Sequence, residues 1–123
     1  MTLAIAFTSV LGLLALFQLA LAFGVPWGSF AWGGQHEGVL PVGYRIGSGV
    51  SILIYGFIAL IALDRSGVVD VLPDAFTNPA MWVVFGFFVL SILMNAASRS
   101  KKERYTMTPV VVALAAMAFF IAV

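Results

Sequence analysis

The run TLAIAFTSVLGLLALFQLALAF, residues 2 to 23, decides the class of fold. It carries no charge, and Gln18 is its one strongly polar member. At ~1.5 Å of rise per residue, a helix over this stretch crosses the ~30 Å hydrocarbon layer of a bilayer. Ala20-Leu21-Ala22 resembles a signal-peptide cleavage site, but no basic segment precedes the apolar run, so a retained membrane helix is expected.

The rest of the chain has the same character. Of its 123 residues 63% are hydrophobic and 9% charged, with a mean hydropathy of +1.11. A soluble domain carries roughly 25% charged residues. Three further apolar runs follow, at about 45–63, 80–97 and 106–123. Asp64 and Arg65 close the second, Pro79 stands at the expected first turn of the third, and Thr108-Pro109 lies near the start of the fourth. The expected fold is an all-α, four-helix transmembrane bundle forming a single membrane domain. Its spans are 2–23, 45–63, 80–97 and 106–123, with a long Gly/Trp-rich loop between helices one and two.

Basic residues near helix ends are retained on the cytoplasmic side. Arg45, Arg99, Lys101, Lys102 and Arg104 fall on one side of the expected bundle, and only Arg65 on the other. Both termini are therefore expected outside, with the Arg99–Arg104 cluster inside. That cluster reads as a topology anchor on anionic lipid, or as a docking site for a cytoplasmic partner.

Composition also excludes several chemistries. The chain has no cysteine, so thiol catalysis and Cys-built metal centres are ruled out. The single histidine, His36, has only Glu37 beside it, too few ligands for a metal site. A net charge of +1 gives no reason to expect nucleic acid as a partner, and no cofactor is expected.

The connection from Gly24 to Tyr44 is far longer than helix junctions need, and long ordered loops are disproportionately functional. Trp27, Phe30 and Trp32 are costly to leave in water, so the loop is expected in the interface or folded back on the bundle. It either plugs the cytoplasmic end or shapes a binding site. The segments Pro26-Trp27-Gly28, Trp32-Gly33-Gly34 and Gly38-Val39-Leu40-Pro41, followed by Arg45, Asn95 and Ser98–Arg104, resemble an uncharacterised family of small bacterial four-span integral membrane proteins. The resemblance covers nearly the whole chain. It implies a bacterial plasma-membrane protein and brings no activity or catalytic residue with it.

Polar side chains within spans are expected to face the bundle interior. On span two Arg45, Ser48, Ser51 and Tyr55 recur at steps of three and four, and on span three Ser91, Asn95 and Ser98 do the same. With Gln18 at similar depth, a polar cluster beneath the loop is expected. Interhelical hydrogen bonding explains it equally well. Gly47 and Ser51 have the spacing of small residues at a helix seam, which places span two centrally or at a homodimer contact. Arg45, at a helix N-terminus whose dipole disfavours a cation, needs a compensating partner: Glu37, or an anionic lipid or small ligand. No carboxylate is expected among the inner turns, which argues against a proton-coupled exporter.

The candidate binding residues are thus Gln18, Trp27, Trp32, His36, Glu37, Arg45, Ser48, Tyr55 and Asn95, with no catalytic or metal-ligating set. The leading expectation is a non-catalytic binding or accessory component of the membrane, alone, as a homodimer or beside a larger membrane protein. A small oligomeric transporter or channel is second. An intramembrane enzyme using His36 and Glu37 is third, since adjacent loop residues make a weak acid–base pair.

Overall fold

The computed structural model describes residues 2–123, and among them every regular element is helical. Four helices, α1 (Thr2–Ala22), α2 (Val42–Arg65), α3 (Asp74–Ala96) and α4 (Lys101–Ala122), are each long and apolar enough to cross a membrane. At 21 to 24 residues they extend to roughly 32–36 Å. α2, α3 and α4 each begin before the expected span, since a helix continues through the headgroup layer. Pro79 accordingly lies inside α3 and not at its first turn, which the structure places at Asp74. α1 packs most closely with α2 and α3 with α4, so the bundle is two hairpins laid together.

The helix ends follow from local chemistry. Gly24 and Gly67 adopt φ of +94° and +81°. Each lets the chain turn back so that the next amides bond the last carbonyls: Val25 N to Ala20 O and Gly24 N to Leu21 O after α1, Val68 N to Leu63 O and Gly67 N to Asp64 O after α2. Asp64 is buried, and its Oδ2 accepts from the amides of Val71 and Leu72 at 2.8 Å each, folding the α2–α3 loop onto the bundle. Ser100 caps α4 by accepting from Glu103 N at 3.4 Å.

Each helix carries one inward stripe, and the stripe changes character along its length. In one half of the bundle Ala4, Phe7 and Leu11 of α1 meet Ile58 and Ala62 of α2, Met81, Val84 and Phe88 of α3, and Leu114 and Ala118 of α4 in a continuous apolar core. Phe7 and Phe88 meet edge to face at 5.8 Å. In the other half the same stripes turn polar.

Candidate functional site

Continuing those stripes by helical steps places Gln18 on α1, Ser51 and Tyr55 on α2, Ser91 and Asn95 on α3, and Glu103 and Met107 on α4 around one cavity of about 310 Å³. Residues three or four apart share a helix face, so each of these positions is a register continuation of the core. The Gly/Trp-rich loop roofs the cavity, with Phe30, Ala31, Trp32 and Gly33 in its wall.

The roof is latched on both sides. Towards α2, the Trp32 ring lies over Gly47, where an added Cβ would stand 2.9 Å from it. Its indole N–H donates to Ser48 Oγ at 3.2 Å. Towards α3 and α4, Arg99 N–H donates to Gly33 O at 3.2 Å, and Gly34 approaches Ser100 so closely that a Cβ there would fall 2.4 Å from the Ser100 side chain. Trp32 pays for this position with a backbone φ of +54°, left-handed for a bulky residue. That conformation costs about 1–2 kcal/mol. Within the loop, Gly28 N–H donates to Gly38 O at 2.8 Å and closes the two limbs on each other.

Of the residues singled out from the sequence, Gln18, Trp32, Tyr55 and Asn95 line the cavity. Gln18 Oε1 is buried without a partner. Asn95 Nδ2 donates to Ser91 O at 2.8 Å, which leaves its carbonyl end as an acceptor. The others are elsewhere. Trp27 stacks on Phe17 at 6.3 Å. His36 packs on the Tyr44 ring at 5.0 Å, and Glu37 is exposed. Ser48 is fully buried beneath Trp32, and Arg45 Nε donates to Ala22 O at 3.0 Å.

Two expectations are corrected by this geometry. Arg45 Nε meets the carbonyl end of α1, and Glu37 is exposed and makes no ion pair with it. Gly47 admits an aromatic ring of its own chain, and Ser51, with its hydroxyl on Gly47 O at 3.0 Å, faces the cavity instead of a helix seam. One residue that lines the cavity was not among those singled out: Glu103, in the first turn of α4, is only 4% exposed. The signal for it was in the sequence, since Ser100-x-x-Glu103 marks a helix start and Glu103, Met107 and Val111 fall on the face that Leu114 and Ala118 continue. Among the described residues no cluster of three metal-ligating side chains occurs.

The fold and cavity together define a multi-pass helical membrane protein with a loop-roofed, largely apolar chamber that carries a few polar groups in one half of its bundle. No protein-family model, curated protein or solved structure matches the chain.

Proposed function

We propose that this chain is a small binding component of the bacterial plasma membrane, with both termini outside and the roofed chamber towards the cytoplasm. The chamber carries the reading. A volume of about 310 Å³ lined by Gln18, Tyr55, Asn95 and Glu103 holds a small amphipathic molecule, whereas a bundle built only for stability would fill that space with side chains. The apolar core beneath it, around Leu11, Phe88 and Leu114, closes the other half, which favours binding over conduction through a single chain. The orientation rests on the five-to-one basic bias.

Membrane lipid is the constant partner. Exposed Arg99, Lys101 and Lys102 at the roofed end offer an anionic lipid its headgroup contacts, and an apolar groove between α2 and α3, lined by Phe57, Phe76 and Pro79, faces the acyl chains. An accessory role beside a second copy or a larger membrane protein belongs to the same reading. Small transport is the second reading, and Glu103 favours it as an ionisable group within the bundle.

The test uses the neutral probe neopentylbenzene and the indole of Trp32 as reporter, in protein carrying Trp27→Phe and Trp82→Phe. Saturable quenching or shift of Trp32 emission, abolished by the cavity-filling change Ser91→Leu, is the expected result. Emission that changes identically in both proteins would reject the binding reading. Flux of the same molecule across proteoliposomes would move the assignment to transport.

A further inference from the structure

The chamber's chemistry narrows what it takes. Its polar lining includes two acceptors, the Glu103 carboxylate and the carbonyl end of Asn95. A carboxylate buried to 4% exposure requires a positive partner or donors. The dipole at the N-terminus of α4 supplies part of that compensation. The helix's reciprocal capping bond is taken by Ser98, whose Oγ accepts from Ser100 N–H at 3.2 Å, and the Glu103 side chain lies along the cavity. The cations of the same turn stand over aromatic rings or in solvent and make no hydrogen bond to Glu103 among the described residues. Lys102 Nζ sits over the Phe30 ring at 5.8 Å, the Arg104 guanidinium over Tyr105 at 5.4 Å, and Lys101 is exposed.

The remaining wall is apolar and includes the aromatic rings of Trp32 and Tyr55, with Phe30 already covered by Lys102. Aromatic faces around a single carboxylate attract an organic cation, since the ring quadrupole adds to the charge where water is excluded. At roughly 30 Å³ per small heavy group, the volume admits about ten of them.

Resting on the binding reading above, we propose that the chamber receives the ammonium head of a small amphipathic cation, with Glu103 as its counter-ion and Trp32 and Tyr55 as its aromatic walls. The carbonyl end of Asn95 accepts from any N–H the head carries. The exposed rim lysines do not oppose this, because their charge is screened by solvent and headgroups.

Three probes of one shape separate the possibilities: benzyltrimethylammonium, its neutral isostere neopentylbenzene and the anion benzylsulfonate. Binding to the full chain in micelles is read from Trp32 emission in the same Trp27→Phe, Trp82→Phe background, with Ser91→Leu correcting for partition into the micelle. The cation is expected to bind about tenfold or more tighter than the neutral isostere, through ion-pair and cation–π attraction. Glu103→Gln should remove that preference and leave the neutral affinity in place. Gln18→Glu, which adds a second carboxylate and keeps the first turn of α4 intact, should raise it. Equal binding of cation and neutral isostere, or a preference for the anion, would overturn the cation assignment while the binding reading stands. If none of the three binds to protein that retains its helical circular dichroism, both fall.

Discussion

Arg45 closes the last open carbonyl of α1: its Nε donates to Ala22 O at 3.0 Å. The carbonyls of Leu19, Ala20 and Leu21 are already taken by Phe23, Val25 and Gly24, so this bond completes the helix end. Arg65, at the opposite end of α2, bonds the end of α4, with Nη2 on Ala122 O at 3.2 Å. α2 thus holds a neighbouring helix at each of its ends. In both cases a cation meets the negative end of another helix's dipole. Arg45→Ala is expected to lower stability in detergent by about 1.5–3 kcal/mol, the range for a hydrogen bond to a charged group, and Arg65→Ala by a similar or smaller amount. Denaturant titration followed by circular dichroism measures both. An unchanged midpoint for Arg45→Ala would mean that water replaces the guanidinium without loss.

The latch on α2 predicts an optical change. Gly47→Ala places a methyl 2.9 Å from the Trp32 ring, so the ring must move and the bond to Ser48 lengthen. Such overpacking costs roughly 1–3 kcal/mol. With Trp32 as the only indole, its emission should shift to the red and become more accessible to acrylamide. A blue shift or no shift would show that the loop accommodates the methyl without opening.

Asp64 organises the opposite end of the bundle. Asp64→Ala leaves the amides of Val71 and Leu72 without their acceptor and should cost about 1–3 kcal/mol. Asp64→Asn, which keeps one carbonyl oxygen, should cost less. Hydrogen exchange is the direct readout: faster exchange confined to residues 66–73 is expected, and exchange spread evenly over all four helices would mean a global effect instead.

Orientation is tested without background labelling because the chain has no cysteine. Ser66→Cys should react with an impermeant maleimide in intact cells, whereas Ala97→Cys should react only after the cells are opened. Ala97 is preferred over Ser100 because its side chain is exposed and only its backbone caps α3, whereas the Ser100 side chain holds the N-terminus of α4. Labelling of position 97 from outside would reverse the topology and put the chamber on the outer face.

Composition and periodicity by themselves determined the four membrane helices, since apolar runs such as 2–23 have no other stable form in a bilayer than a helix. They also indicated that Gln18, Tyr55 and Asn95 face inward, because a polar side chain on a span avoids lipid. What each polar residue bonds was decided only by the tertiary structure. Arg45, Ser48 and Ser51 looked like one stripe, yet each step of three turns back about 60° around a helix, so Arg45 lies about 120° from Ser51. Arg45 therefore reaches α1, Ser48 meets Trp32, and Ser51 faces the cavity. Glu103 was hidden by its basic neighbours: a charge run reads as a solvated loop until the helix starting at Lys101 turns one of its members inward. The roof, too, depends on contacts distant in sequence. Gly34 is a turn residue by composition, and only the approach of Ser100 from the far side of the bundle shows why a side chain there has no room.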